Sequence, residues 1–425
     1  MLSPDDRGLA EREPALPEFR TLLDPDAFAA ALAETFPRLG VRGATPRYLR
    51  YKPGTSCLAA YTAALNGESL ELHALTAADP AKLRVRPRDR TASTGFGPGG
   101  CRIGERPIVV RAFPRDAKLK KLVALADPAL RHRFLPAELA AGRLEQVGYK
   151  PERRFVGRLT AASGSYCVKL HAPNRFASAY QGATAFREAR TLRLATLVHA
   201  HAGSGVIVQA WLPGRLLADA QAAPDWPETA AALVGEALAE LHDQRAAIPT
   251  APIGGAEALL ENGDTLVHLI PAHGGPWRTH VATLVGALEE LAEADGPIHG
   301  DFYAKQVLLD GSRVSILDCD QARWGDQAED LGTFRAHLFR DVLRGRLASG
   351  RAERIWDAFR EGYGRRGSDF DLRVQLFTAI GCFRLAQDPF RHREPGWSRG
   401  VEALMQLSMA AMAPILGVAP AAPWR

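Results

Sequence analysis

His299-Gly300-Asp301 is followed, five residues after the aspartate, by Gln306. Then come the apolar run Val307-Leu308-Leu309, a turn at Asp310-Gly311-Ser312, and a second apolar run, Val314 to Leu317, that ends on Asp318. Two short strands joined by a tight turn put Asp301 and Asp318 at neighbouring ends of one ribbon. Phosphoryl transfer needs such a pair: one carboxylate orients the attacking hydroxyl and accepts its proton, and a second holds the Mg²⁺ that bridges the phosphates. An amide oxygen just past the first carboxylate completes a hard-oxygen metal shell, and that place falls to Gln306. Asp320, on the face of Asp318 by strand alternation, is a further candidate for metal or substrate. An isolated H-G-D tripeptide reads as a solvated turn; the spacing to Gln306 and Asp318 is what carries the chemistry.

Pro297 to Gly332, PIHGDFYAKQVLLDGSRVSILDCDQARWGDQAEDLG, resembles the catalytic and metal loops of the aminoglycoside phosphotransferase and choline kinase family. The resemblance extends more loosely from Tyr149 to about Arg391. It implies an α+β, two-lobed protein kinase-like fold that uses ATP and Mg²⁺ on a small-molecule hydroxylated acceptor. In that reading Asp301 is the catalytic base, His299 shapes the loop through hydrogen bonds, and Gln306, Asp318 and Asp320 face the metal. The family's usual metal-site amide is Asn. Maltokinase-like proteins resemble this chain in having Gln there and an extra N-terminal domain, so a maltokinase-like sugar kinase is one alternative. A catalytically silent, nucleotide-binding scaffold of the same fold is another.

Such loops need a lobe that grips the nucleotide, and the chain from about Val147 fits one. Lys169, between Val168 and Leu170, is the candidate for the α and β phosphates, and a helix from roughly Ser178 to Leu197 carries Glu188 to orient it. No G-x-G-x-x-G loop covers the phosphates in this lobe; its first turn is the basic Lys150-Pro151-Glu152-Arg153-Arg154. Gly205 to Gly214 is an apolar strand breaking into a turn. In a kinase-like fold this is the hinge, which puts adenine near Gln209, Ala210, Trp211 and Leu212, although Trp211 fits a core position equally well. Helical periodicity then marks the stretches ending at His242, roughly Trp277 to Ala294, Ala328 to Leu347, Glu353 to Tyr363 and Phe370 to Ala386. His242 reads as a packing or hydrogen-bonding residue and Asp326 as a cap. Trp356, Phe377, Phe383, Arg384, Arg391 and Trp397 are expected to wall the acceptor pocket.

The first third holds a partial copy of the nucleotide lobe. Tyr51 to Ala74 aligns without a gap on Tyr149 to Ala172, with nine of 24 positions identical, and each copy reads as strand, turn, strand. In that alignment Glu71 stands where the second copy has Lys169, so the first copy is expected not to bind nucleotide in the same way. The expected organisation is a degenerate N-lobe-like cap over 1–145, an N-lobe over 146–210 and a helical C-lobe over 211–425. Residues 1 to about 24 read as a loosely ordered lead-in, Asp24 or Asp26 as the cap of a helix ending near Pro37, and Asp116 as the cap of a helix through Ala126. The glycine-rich Thr91 to Cys101 lacks the helix that would make it a phosphate loop and reads as a hairpin connection.

Composition narrows the classes. A chain of 425 residues has room for two or three domains, and an excess of 53 basic over 48 acidic residues does not by itself argue for nucleic acid. Five scattered cysteines without a C-x-x-C pair read as reduced thiols. No uniformly apolar span is long enough for a membrane, and the charged N-terminus does not resemble a signal peptide, so a cytoplasmic protein is expected. The oligomeric state is left open.

Overall fold

The computed structural model describes residues 2–83, 85, 100–249, 255–291, 296–365 and 367–417. The glycine-rich Thr91 to Cys101 lies almost wholly outside the described residues.

Two five-stranded antiparallel sheets are built on one plan. The first contains β1 (Gly43–Lys52), β2 (Ser56–Ala64), β3 (Ser69–Ala77), β4 (Cys101–Ile103) and β5 (Arg106–Ala112), in the order β1-β2-β3-β5-β4. The second contains β6 (Arg143–Lys150), β7 (Arg154–Ala161), β8 (Gly164–His171), β10 (Leu197–His201) and β11 (Val206–Ala210), with the short β9 (Leu192–Arg193) lying elsewhere. Its order is β6-β7-β8-β11-β10, the same topology. The internal repeat therefore covers a whole sheet.

Register corrects one equivalence. The first copy's hairpin closes with Ala64 opposite Ser69 and the second with Ala161 opposite Gly164, a tighter turn. The third strand is displaced as a result. Lys169 faces Val156 on one side and Ile207 on the other; at the matching places, Leu58 and Val109 flank Leu75, not Glu71. Glu71 lies toward the hairpin end, where it accepts a hydrogen bond from Gln146 at 2.7 Å. The first copy is thus uncharged at the lysine position, and the gap-free alignment missed this because its turn is longer.

The lead-in is folded. Helices α1 (Pro4–Glu11) and α2 (Phe19–Leu23) bury Leu9, Phe19 and Leu22, and α3 (Pro25–Thr35) starts at the Asp24 cap. Asp6 anchors this segment to the far end of the chain, accepting from Arg393 at 2.7 Å and from the Trp397 indole at 3.1 Å. The core of the first unit is continuous with that of the helical lobe.

The segment after the first sheet packs with the second. Leu119, Leu122, Leu125, Phe134 and Leu139 share a core with Phe155, Val168 and Val208. Only α4 (Leu122–Ala126) and α5 (Ala137–Ala140) are α-helical there, so the helix expected from Asp116 is shorter than its pattern. The Asp116 carboxylate accepts from the backbone of Leu119 at 2.8 Å and also from Tyr149 and the Glu152 amide, each at 2.7 Å. Those distant donors draw the chain across the second sheet before it can coil.

The C-terminal lobe is helical: α7 (Leu217–Ala220), α8 (Ala231–His242), α9 (Ala256–Leu269), α10 (Gly274–Glu289), α11 (Ala328–Leu343), α12 (Ser349–Tyr363), α13 (Ser368–Leu385), α14 (Asp388–Arg391) and α15 (Trp397–Met412). Between the lobes, α6 (Phe176–Ala185) follows β8. The expected ribbon is present: β14 (Val307–Asp310) pairs with β15 (Arg313–Ile316), flanked by β12 (Arg215–Leu216) and β9. The strands β13 (Gly296–Ile298) and β16 (Arg323–Gly325) pair beside it. Phe377, Phe383 and Trp397 are buried in the core; helical spacing alone could not distinguish that from a pocket wall. No helix among the described residues is long and apolar enough to cross a membrane.

Candidate active site

A cleft of about 1000 Å³ separates the second sheet from the β14–β15 ribbon. Lys169, Arg154, Gln306, Asp318 and Asp320 line it, as do Gln209, Ala210, Trp211 and Leu212. Gln209 and Ala210 close β11, and Trp211 and Leu212 follow it as the chain passes to the helical lobe. The Ala210 amide donates to Thr196 and the Trp211 amide to Ser165, at 2.9 and 3.1 Å. Trp211 is partly exposed, with the Arg158 guanidinium 4.8 Å from its ring centroid, so it is not a core residue.

Asp318 has φ 63°, the left-handed region, which a non-glycine residue adopts at some cost in strain. This turn ends β15 and sends Cys319–Gln321 into a 3-10 turn, so Asp320 is not on a strand. The two carboxylates still converge. Lys169 Nζ donates to Asp318 at 2.7 Å and to Asp320 at 2.8 Å, while Arg154 reaches Asp318 at 2.6 Å and Asp320 at 3.3 Å. Burial by itself would push the Asp318 carboxyl up, but Lys169 and Arg154 outweigh it and hold the group well below the ordinary range.

Glu188 does not meet Lys169. Helix α6 ends at Ala185, because the Arg187 amide turns away to donate to Gln244 at 2.8 Å. Glu188 is largely exposed and lies 3.7 Å from Arg313, and α6 itself, FASAYQGATA, contains no acid. Arg154, from the basic turn, is the extra charged contact at Asp318 and Asp320.

The His299–Asp301 loop is held from beneath. His299 Nε2 faces the Leu317 carbonyl at 2.7 Å and so carries the proton there; Nδ1 receives the Asp301 amide at 3.3 Å. Asp330 accepts from the amides of His299 at 2.6 Å and Gly300 at 2.8 Å, and from His242 at 2.9 Å, whose other nitrogen meets Tyr363 at 2.8 Å. His242 is thus a structural hydrogen-bonding residue, as its sequence setting suggested. Nothing local in the sequence marks which of the acids Asp326, Glu329 and Asp330 turns inward. Asp326 does cap α11, accepting from Ala328 at 2.9 Å.

Helix α6 approaches the acidic turn without any gap. A Cβ on Gly182 would stand 1.8 Å from the Cys319 carbonyl oxygen, so only glycine fits without displacing backbone. Gly182→Ala is expected to lower stability by about 1–3 kcal/mol and to move Asp318 and Asp320 off Lys169; chemical denaturation and nucleotide-induced stabilisation, measured together, check both.

The donor set suits a divalent cation of the Mg²⁺ kind. Among the described residues no three His, Cys, Asp or Glu side chains form a metal cage. Two carboxylates plus the Gln306 amide, 3.5 Å from Asp318 Oδ2, leave the partial, all-oxygen set that Mg²⁺ shares with phosphates and water. The amide's oxygen and nitrogen can exchange places by a flip.

A twisted antiparallel lobe over a helical lobe, with a lysine from one facing acids from the other across a cleft, defines a protein kinase-like fold. The profile of the phosphotransferase enzyme family matches residues 148–373, more than half of the chain, and the chain belongs to that family. No curated protein matches it. Similar solved structures include a choline/ethanolamine kinase family protein from Mesorhizobium loti, 18% identical with a TM-score of 0.48, over 69% of this chain and 93% of that one. An ethanolamine kinase from Plasmodium vivax is 11% identical, with a TM-score of 0.47 over 69% and 87% of the two chains. The macrolide 2'-phosphotransferase MphH from Brachybacterium faecium is 18% identical, with a TM-score of 0.40 over 65% and 97%.

Proposed function

We propose that the protein transfers the γ-phosphate of ATP, with Mg²⁺, to a hydroxyl of a small molecule. The observation that carries this reading is the convergence of Lys169, Asp318 and Asp320, with Gln306 beside them, in the cleft whose other wall is the Gln209–Leu212 segment. Adenine lies against that segment; with the Ala210 and Trp211 amides already engaged, the Leu212 amide is its donor there. Gln306, Asp318 and Asp320 hold the metal, which when bound offsets the charge on the phosphate oxygens. Lys169 and Arg154 then exchange carboxylate for phosphate partners. Asp301 orients the acceptor hydroxyl and takes its proton, at a place fixed by His299 and Asp330. The packing of Leu119 to Ala140 under the second sheet supports a nucleotide lobe that begins nearer Phe113 than residue 146.

The test is Mg²⁺-dependent ATP binding, followed as thermal stabilisation, with slow ATP hydrolysis measured in parallel. Wild-type protein is expected to be stabilised only when both ligands are present, and Lys169→Met to lose that response. Binding unchanged in Lys169→Met sinks the assignment, and binding without turnover against any acceptor favours the silent scaffold.

A further inference from the structure

Beside the reaction centre, four elements meet at a corner that is rich in cations and short of acids. Arg50 of β1 braces the β6–β7 turn, donating to Glu152 at 2.6 Å and to the Pro151 carbonyl at 3.3 Å. The same strand brings Tyr48 within 5.8 Å, ring to ring, of His392, next to Arg391 at the end of α14. From the other side the Ala172 amide donates to the Arg153 carbonyl at 3.2 Å, and Arg175 follows three residues later. Arg153, half-buried, therefore sits among Arg50, Arg175 and Arg391; burial first, and those cations after it, make its guanidinium less basic, while Tyr48 acts the other way.

Of these four, among the described residues, Arg50 alone has a counter-ion. Its partner Glu152 is shared with Lys118, at 3.4 Å. Among the described residues Arg153, Arg175 and Arg391 make no ion pair and no side-chain hydrogen bond. Like charges gathered in a partly dry corner repel one another, and an anion bound among them turns that repulsion into attraction. The corner borders the chemistry: Arg154, next in sequence to Arg153, holds Asp318, and Lys150 of the same turn acts on Asp301.

We propose that this corner is an anion subsite, and that the phosphoryl acceptor is a hydroxylated compound bearing a phosphate or carboxylate group held by Arg153, Arg175 and Arg391, with the Tyr48 hydroxyl as a further donor. A polycationic acceptor would be repelled there. The acceptor role rests on the phosphotransferase reading; anion binding at the corner does not. The proposal also gives the first unit a task, since β1 forms one wall of the subsite.

The test uses the full chain saturated with Mg²⁺ and a non-hydrolysable ATP analogue, so that added anions do not compete for the nucleotide site. Inorganic phosphate and glycolate are titrated separately by calorimetry. Wild-type protein is expected to bind at least one of them, the preference distinguishing phosphate from carboxylate, and Arg391→Gln and Arg153→Gln are each expected to weaken it about tenfold or more. No binding, or equal binding by all three proteins with matched thermal stability, overturns the subsite. Transfer is then screened by mass shift on hydroxylated phosphates and carboxylates against neutral sugars and polyamines. Transfer to the anionic set, with acceptor KM raised about tenfold in Arg391→Gln and ATP KM changed less than about twofold, supports the assignment. Transfer only to neutral or cationic compounds overturns the acceptor role. Anion binding with no transfer to any compound refutes the acceptor role through the phosphotransferase reading and leaves the subsite standing.

Discussion

Asp301→Asn is expected to lower kcat by about 10²–10⁴-fold while leaving Mg²⁺-ATP stabilisation within error of wild type. The amide keeps the shape of the side chain and cannot accept the acceptor's proton. Nucleotide affinity should survive, because Lys169, Arg154 and Asp318 form a separate cluster tied by contacts of 2.6 and 2.7 Å. Burial, with Asp318 adding to it, pushes the Asp301 carboxyl up to about 6. The active form is the carboxylate, so kcat/KM should fall as pH drops through about 6 and level off above it. Steady-state kinetics from pH 5 to 8 would show the step in wild type and not in the residual activity of Asp301→Asn. A variant with undiminished turnover would remove Asp301 from the chemistry.

Asp330→Ala is the second large effect, and it acts through structure. Asp330 is wholly buried and takes three donors, the two loop amides and His242, whose other nitrogen is held by Tyr363. Burial opposes its charge, but the hydrogen bond from His242, with that from the His299 amide, outweighs it, and its pKa is lowered. Removing the carboxylate leaves the His299 and Gly300 amides and His242 facing an apolar space, a loss of about 3–5 kcal/mol. Denaturant unfolding should show it. Asp330→Asn, which restores an acceptor for some of these donors but not the charge, should fall between. The lowered pKa also sets a sign: this contribution is present at neutral pH and is lost as pH falls below the ordinary carboxylate range. Activity in folded Asp330→Ala should be low as well, since Gly300, at φ 80°, immediately precedes Asp301.

The chemistry-bearing ribbon was legible in sequence because its signals are local. A tight turn, two short apolar runs and the placement of Gln306 and Asp318 are dictated within 20 residues, and hairpin geometry leaves little freedom. Lys169 could be placed on a strand because it stands between Val168 and Leu170, and the Gln209–Leu212 turn because an apolar strand ends there. Helix periodicity gave α8 and α11 to α13, with ends displaced by a few residues.

What failed was whatever depends on a partner far away. The Ser178–Leu197 helix looked continuous, yet Gln244 draws off the chain at Arg187 and leaves Glu188 on the surface. Residues 1 to 24 looked loose because their anchors, Arg393 and Trp397, lie at the other end of the chain. Alignment paired Glu71 with Lys169, whereas hairpin register, set by a longer turn, pairs Leu75 with it. The sequence by itself determined the carboxylate–amide–carboxylate order and the strand types around it, since turn chemistry and alternation act over a few residues. Only the tertiary structure decided which charges meet: Arg154 in place of Glu188 at the acidic turn, and Asp330 beneath the loop. Those meetings depend on long-range packing, and charge interactions act through space without regard to chain separation.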